Sequence, residues 1–146
     1  MIPRYTHPDM GRIWGEQRKY DTWLRVEVAA TNAMAATGLV PEDAARDIAA
    51  CEGVRAERID EIEQTTQHDV IAFTTAVAEQ VGPSARWLHF GLTSSDVLDT
   101  ALALQMREAC GLILGDLDGL LEAVRERARE HRDTPMIGRT HGVHAE

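Results

Sequence analysis

Three short polar segments contain the residues best suited to chemistry. They are TTQHD at 65–69 (the QHD segment), HFGLTSSD at 89–96 (the TSSD segment) and GRTHGVH at 138–144 (the GRTHG segment). Each contains at least one histidine, whose imidazole titrates near neutral pH and can transfer a proton. All three carry more polar and turn-forming residues than helix connections require, so they are the candidate site segments.

The TSSD segment predicts both a helix start and an anion site. Thr93 is followed three residues later by Asp96, which is a capping-box pattern and places a helix N-terminus near Thr93. Unpaired N–H groups and the positive end of the helix dipole would favour a carboxylate there, assisted by the hydroxyls of Thr93 and Ser94. A plain N-cap explains the same pattern, and the sequence does not separate the two interpretations.

The GRTHG segment could present an acid. Glycines on both sides of residues 139–141 favour a tight, irregular backbone that would expose His141 to a pocket, where it could protonate a leaving group. The alternative is an ordinary solvated histidine. For His68, the alternative is a satisfied polar residue at a helix interface.

Metal binding is a rival interpretation of these histidines. His141 and His144 are three residues apart, and Glu146 and His68 could complete a ligand set. Neither an HExxH motif nor paired CxxC motifs accompany them, so we expect no metal and no other cofactor.

The rest of the chain, which must position these segments, is predicted to be helical almost throughout. Aromatic residues make up only 5% of the chain and alternating β-branched runs are few, so the periodicity predicts an all-α fold without a sheet. We expect one helix or two between Asp9 and Gly38, a short helix over 41–51, one over 59–81 ended by Gly82-Pro83, and a long one over 93–132.

The last of these helices requires partners. It would be about 55 Å long, which exceeds the diameter of a compact domain of this size. Glycines at 111, 115 and 119 add a strip of small residues that suits the close approach of another helix. We therefore expect it to pack in a bundle, although a solvated single helix is the alternative. Its apolar seam comprises Leu98, Leu102, Met106, Ala109, Ile113, Leu117, Leu120 and Val124.

Composition narrows the function classes. The 146 residues allow about one independent domain, and 44% hydrophobic with 27% charged residues is ordinary for a folded protein. The net charge of −9 argues against nucleic-acid and membrane-surface partners. No apolar run approaches a membrane span and the N-terminus lacks a secretory signal, so we expect a cytoplasmic protein. Cys51 and Cys110 match no metal or redox spacing and are expected to be small core residues.

Four segments, in order, carry a family resemblance: IPRYTHPDMGRIW, TTQHDV, HFGLTSSDVLDTAL and PMIGRTHGVHAE. Together they make the chain resemble the N-terminal part of the adenylosuccinate lyase family, within the fumarase and aspartase superfamily. The carboxymuconate cycloisomerases share a TS-x-DV-x-DTA pattern and are the alternative. The opening Arg4-Tyr5 and the QHD residues look more like the purine enzymes.

The resemblance implies a function and an assembly. The family eliminates fumarate from adenylosuccinate to give AMP, and from succinyl-aminoimidazole carboxamide ribotide, in purine nucleotide biosynthesis. It implies an N-terminal helical domain over 1–92, then over 93–146 the first long helix of a central bundle and an acid-motif loop. It also implies a homotetramer with sites shared between subunits. A non-catalytic helical assembly module is the remaining alternative.

The resemblance also implies residue roles. The family's base is a serine in a Ser-Ser-x-Met-Pro-x-Lys-x-Asn pattern, which does not occur in these 146 residues, so we expect an N-terminal portion that lacks the base. His68 is expected near the phosphate or near His141, and His89 is a secondary candidate. The roles implied are general acid for His141, carboxylate binding for Thr93 and Ser94, phosphate binding for Arg4 and Tyr5, and nucleotide-site lining for Gln67, His68 and Asp69.

Overall fold

The computed structural model describes residues 2–145 and confirms the all-α fold, with one small exception at the hairpin. Contacts divide the chain into two compact units, Met1–Ala109 and Cys110–Glu146. The helices are α1 (Pro8–Ile13), α2 (Glu16–Ala36), α3 (Glu42–Ala49), α4 (Ala56–Thr66), α5 (Asp69–Val81) and α6 (Ser94–Glu130), with 3-10 turns at Pro3–Tyr5 and Gly82–Trp87 and strands β1 (Gly138–Thr140) and β2 (Val143–Ala145).

The core of the first unit is centred on three aromatic rings. Tyr20 and Trp23 of α2 lie edge to face with ring centroids 5.2 Å apart, and Phe73 of α5 lies edge to face with Trp23 at 5.5 Å. All three side chains are buried, together with Ile48 of α3 and Ile59 of α4. Helices α2 to α5 therefore bury their apolar faces against one another, which fixes the loops between them.

The single helix predicted over 59–81 is wrong, because the chain breaks it at Gln67 and His68. Gln67 has a left-handed backbone with φ 50°, and His68 is extended with φ −154°. The Gln67 side-chain amide donates to the carbonyl of Gln64 across 2.9 Å, which satisfies an end group of α4. Side-chain bonds, rather than a glycine or a proline, end one helix and start the next.

The prediction of one long helix starting near Thr93 is confirmed. Helix α6 begins at Ser94 and runs for 37 residues without a break at its glycines. Its first turns pack on the first unit through Val97, Ala101 and Ala109, which are buried. The start of α6 is therefore held in place by the core.

Many apolar side chains of α6 are exposed, beginning with Leu102. An alanine Cβ built at Gly111, Gly115 or Gly119 would meet no atom within 4 Å, so nothing described covers the strip of small residues. Within residues 2–145 the predicted seam is exposed from Leu102 onward except at the buried Ala109, while Leu98 packs against the core. The exposed apolar residues of α6 are Leu102, Met106, Ile113, Leu114, Leu117, Leu120, Leu121 and Val124.

The expectation of no sheet is wrong over the GRTHG segment. Strands β1 and β2 pair antiparallel, with Thr140 opposite Val143 and Arg139 opposite His144. The connecting residues His141 and Gly142 have φ 49° and 78°. Positive φ at both central residues matches the twist of a two-residue hairpin, so the irregular loop predicted there is a tight turn.

Two smaller expectations concern the membrane and the cysteines. Among residues 2–145, no helix is both long and apolar enough to cross a membrane. Cys51 is half-buried against the core, whereas Cys110 is exposed on α6. The prediction of a core position is therefore wrong for Cys110.

Candidate active site

Left-handed backbone marks each of the three candidate segments. Within residues 2–145, the non-glycine residues with positive φ are Gln67 at 50°, His89 at 58° and His141 at 49°. Such a conformation is costly for a residue with a Cβ and persists where neighbouring contacts hold it in place. Strained backbone of this kind concentrates at functional sites, which supports the choice of these segments.

The QHD segment forms the junction between α4 and α5. His68 caps α5, with its Nδ1 accepting the backbone N–H of Ile71 at 3.4 Å. Asp69 accepts the N–H of Val70 at 2.7 Å, and one of its carboxylate oxygens lies 3.5 Å from His68 Nδ1. When Nδ1 accepts a hydrogen bond, the ring proton resides on Nε2, so His68 offers a donor at its partly exposed edge.

The TSSD segment begins α6 as its sequence indicates. The carboxylate of Asp96 accepts the backbone N–H of Thr93 at 2.8 Å, which is one half of a capping box. Ser94 is the first helical residue and is half-buried, while the Thr93 side chain is exposed. Two hydroxyls and a helix N-terminus are therefore adjacent, with Asp96 already supplying one negative charge there.

His89 opens the TSSD segment and is bound to a buried carboxylate that the sequence analysis missed. Glu27 of α2 accepts the backbone N–H of His89 at 2.9 Å with Oε2, and its Oε1 lies 2.5 Å from His89 Nδ1. The Glu27 side chain is 0% exposed and the His89 ring is 24% exposed. This pair is the most deeply buried contact between ionisable groups in the first unit.

A sequence signal for Glu27 was present. The buried positions of α2 are 20, 22, 23, 24, 27 and 31, and Glu27 is the charged residue among them. A carboxylate on an apolar helix face is buried at a large cost unless it is paired and hydrogen-bonded. Glu27 is therefore the position on α2 at which a polar partner could have been predicted.

Arg4 and Tyr5 form a polar pair on the N-terminal 3-10 turn. The Arg4 guanidinium donates to the Tyr5 hydroxyl at 3.0 Å, and its carbon lies 4.7 Å from the Tyr5 ring centroid. Both residues are exposed. A guanidinium with N–H groups to spare beside a phenol is well suited to bind a phosphate.

His141 occupies the first turn position of the β1–β2 hairpin in the second unit. Its Nδ1 lies 3.1 Å from the Thr140 hydroxyl, and the side chain is exposed. When the Thr140 hydroxyl donates to Nδ1, the proton of the neutral ring lies on Nε2. The hairpin therefore presents an exposed histidine whose Nε2 carries the proton in that arrangement.

The candidate residues form separate clusters. Within residues 2–109, no hydrogen bond joins the Arg4–Tyr5 pair, the QHD segment and the TSSD segment to one another. His141 lies in the second unit, so the proximity of His68 to His141 stays a prediction. The same holds for the domain boundary after residue 92.

The metal alternative gains no support. No three His, Cys, Asp or Glu side chains come together as potential metal ligands in the described part of the chain, residues 2–145. Glu146, which would have completed that site, lies outside the described residues.

Comparison with known proteins gives consistent results. The family model described as lyase matches residues 4–146. Over the whole chain, the sequence is 51% identical to the adenylosuccinate lyase of Synechocystis sp. and 50% identical to that of Aquifex aeolicus. The chain spans about a third (34%) of the length of each of these relatives. The resemblance to adenylosuccinate lyases is confirmed.

Among solved structures, the fold is similar to that of the 3-carboxy-cis,cis-muconate lactonizing enzyme from Pseudomonas putida. The TM-score is 0.85 and the sequence identity is 34%, over 97% of this chain and 34% of that one. The fold is thus shared with the alternative group, whereas sequence identity is higher to the adenylosuccinate lyases and does not favour that alternative.

Proposed function

The chain belongs to the lyase family, and from that membership we propose that its full-length gene product eliminates fumarate from adenylosuccinate, giving AMP. The same reaction on succinyl-aminoimidazole carboxamide ribotide would give the free carboxamide. The observation that carries this proposal is the similarity to adenylosuccinate lyases along the whole chain, including all three candidate segments.

A β-elimination of this kind sets three chemical demands. A base removes the Cβ proton, the electron pair forms the double bond of fumarate, and the C–N bond breaks as an acid protonates the departing nitrogen. Negative charge collects on the adjacent carboxylate in the intermediate, so hydrogen-bond donors must face it. The reaction thus needs a base, an acid and donors for the carboxylate. The candidate residues can supply the acid and the donors.

We assign the acid role to His141. Its position in a hairpin turn exposes the ring, and a Thr140 hydroxyl that donates to Nδ1 would leave a proton on Nε2 for the acid to deliver. The left-handed backbone of His141 is consistent with a residue held there for its side chain.

Binding roles follow for the first unit. Thr93 and Ser94 at the start of α6 would receive the succinyl carboxylate through hydroxyl and backbone donors. Arg4 and Tyr5 would bind the phosphate that both substrates carry. Gln67, His68 and Asp69 would line the nucleotide site, since these three polar residues are adjacent at the α4–α5 junction.

The base is assigned to a residue beyond those described. The serine pattern of the family is absent from the 146 residues, and no other residue here is in a position that identifies it as the base. We propose that a serine elsewhere in the full-length protein removes the Cβ proton.

Assembly belongs to the same proposal. The uncovered apolar stripe on α6 fits a bundle of long helices between subunits, and we propose a homotetramer whose subunits share each site. A non-catalytic assembly module would need the stripe but not the Arg4–Tyr5 pair or the three polar segments. The net charge of −9 agrees with a cytoplasmic enzyme that binds neither nucleic acid nor membrane.

The test is fumarate release by the purified full-length protein with adenylosuccinate, followed by absorbance. Turnover is expected, with the 146-residue chain alone inactive because it lacks the base. Conversion of a carboxymuconate without any action on adenylosuccinate would instead identify a cycloisomerase. Absence of turnover on both adenylosuccinate and a carboxymuconate would favour a non-catalytic assembly module.

A further inference from the structure

We propose that Glu27 is the positioning residue of His89, fixing the ring so that its Nε2 is directed to the substrate. The catalytic part of this proposal rests on the proposed function. The structural part, namely which ring nitrogen carries the proton, stands on the Glu27–His89 geometry and is testable without substrate.

The first step is the burial of Glu27. Its side chain is 0% exposed, and its hydrogen-bond partners within residues 2–145 both belong to His89. A buried carboxylate without partners is strongly unfavourable, so the two contacts to His89 account for its presence in the core. The carboxylate and His89 are thus bound as one unit although 62 residues separate them.

The second step concerns the proton. A carboxylate only accepts hydrogen bonds, and Oε2 is already occupied by the backbone N–H of His89. At 2.5 Å from Oε1, the ring Nδ1 must therefore be the donor. Nε2 is then the ring nitrogen free to meet a ligand, since no other residue in 2–145 hydrogen-bonds to it.

The third step concerns the backbone. His89 is left-handed at φ 58°, a conformation that a residue with a Cβ adopts at a cost. The Glu27 contact to the His89 N–H stabilises it, and the carbonyl of His89 accepts the N–H of Leu92 at 3.3 Å just before Thr93. Glu27 thereby fixes both the ring and the entry to the proposed carboxylate site.

The chemistry of the ligand follows from this arrangement. The His89 side chain is 24% exposed, so part of the ring is open to a bound molecule while Nδ1 stays against Glu27. A substrate rich in phosphate and carboxylate groups offers several polar atoms to a ring nitrogen in that place. Glu27 touches none of them and acts only through His89.

The variant Glu27→Gln tests the proton position. A carboxamide has one accepting oxygen and one donating nitrogen, so it cannot accept from both the backbone N–H and Nδ1. Because the backbone N–H cannot change role, Nδ1 is expected to become the acceptor and the proton to move to Nε2. Solid-state ¹⁵N spectra of histidine-labelled full-length protein report this, with the His89 signals identified by their loss in His89→Ala.

Two further variants make the test decisive. Thr22→Val removes a buried hydroxyl from the same helix, whose bond to the Arg18 carbonyl does not involve His89, and should leave the tautomer unchanged. Glu27→Asp retains a carboxylate and should keep the proton on Nδ1, even if Glu27→Gln does not fold. An unchanged tautomer in Glu27→Gln, or a proton on Nε2 in the unsubstituted protein, would overturn the proposal.

Kinetics separate positioning from a structural role. Glu27→Gln is expected to lower kcat/KM for adenylosuccinate by about tenfold or more, by analogy with metal-binding histidines, whose orienting partners contribute about 10- to 100-fold to activity. In a His89→Ala background the same change should add less than about twofold, since Glu27 acts through His89. An equal loss in both backgrounds would refute the proposal. If the unsubstituted protein released no fumarate, the proposed function would be wrong. The ¹⁵N spectra would still test which nitrogen of His89 carries the proton.

Discussion

The side-chain amide of Gln105 donates to the backbone carbonyl of Ile13 across 2.6 Å, in a buried contact that joins α6 to the end of α1. Gln105 is one of four polar residues in the core of the described chain. The carbonyl belongs to the last residue of α1, which has no partner within its own helix. The contact therefore satisfies a helix end and at the same time ties the first turns of α6 to α1.

We expect Gln105→Met to reduce the free energy of unfolding by about 1–3 kcal/mol, because it leaves a buried carbonyl without a donor. Gln80→Met is the matched control, since the Gln80 amide donates to the carbonyl of Gly53 at 2.9 Å on an exposed surface where water can replace it. Urea denaturation of both variants measures the difference. Equal losses would show that burial is not what makes the Gln105 bond important.

The second prediction concerns pH. Arg58 donates twice to Glu79, at 3.0 and 2.7 Å, and these hydrogen bonds hold the pKa of Glu79 below its ordinary value of 4.5. A lowered pKa in the folded state means that the stabilisation is present above pH 4.5 and is lost as the pH falls through the folded value. The pair is exposed, so the contribution is small.

Arg58→Ala should therefore raise the pKa of Glu79 and flatten the loss of stability below pH 4.5. An NMR titration of the side-chain carboxyl carbon of Glu79 measures the change in its pKa. Arg55→Ala, which removes the partner of Glu57 instead, should leave the titration of Glu79 unchanged. A Glu79 pKa that does not move in Arg58→Ala contradicts the assignment of its cause.

The third prediction tests the acid. In the full-length protein, His141→Gln should lower kcat by roughly 10² to 10⁴, the usual contribution of a general acid, with a much smaller effect on substrate binding. His144→Gln is the control, because His144 lies on β2 of the same hairpin and is equally exposed. Steady-state fumarate release gives both constants. Unchanged turnover in His141→Gln would remove it as the acid.

The fourth prediction tests phosphate binding. Arg4→Ala should raise KM by about tenfold to a hundredfold, as expected for a hydrogen bond between charged groups, and should leave kcat nearly unchanged. The contact exists in the ground state and in the transition state alike. Arg12→Ala, whose guanidinium pairs with Asp9 on the exposed face of α1, should change neither constant. A loss in kcat alone would place Arg4 in the chemical step instead.

The fifth prediction tests the assembly. Leu117→Glu places a charge in the exposed stripe of α6 and should weaken self-association at least about a hundredfold, since burying an unpaired charge costs several kcal/mol. Glu126, nine residues on and so on the opposite side of the helix, supplies the control Glu126→Gln. Sedimentation across a range of concentrations measures the change. A monomer at every concentration, even without substitution, would contradict the proposed bundle.

Sequence patterns predicted those parts of the fold that local signals determine. Helix α6 was found from its apolar periodicity and from Asp96, whose bond to the Thr93 N–H starts the helix as the capping pattern requires. The break between α4 and α5 was missed because no glycine or proline marks it. It depends on the left-handed conformation of Gln67, which its own side chain and the cap at His68 stabilise together.

The candidate residues were chosen from the sequence, whereas their contacts could not be predicted from it. His89 was noticed, yet its partner Glu27 lies 62 residues away on another helix, and only packing brings the two together. Similarly, the turn at His141 reads as a loop until Thr140 and Val143 are seen to pair. Local composition identifies polar side chains, whereas long-range geometry decides which of them meet.

Helix α6 is continuous, but its buried contacts are confined to its N-terminal turns. Its buried residues are Val97, Ala101, Gln105 and Ala109, and no later one in the described chain is buried, while three glycines follow. Beyond Ala109 the helix thus depends on its own backbone bonds, which are marginal without packing. In the proposed assembly the ordering of those turns would be coupled to association, so the helix content of the chain should depend on its concentration. Part of the interaction energy between the proposed subunits would then be consumed in completing the helix that joins them.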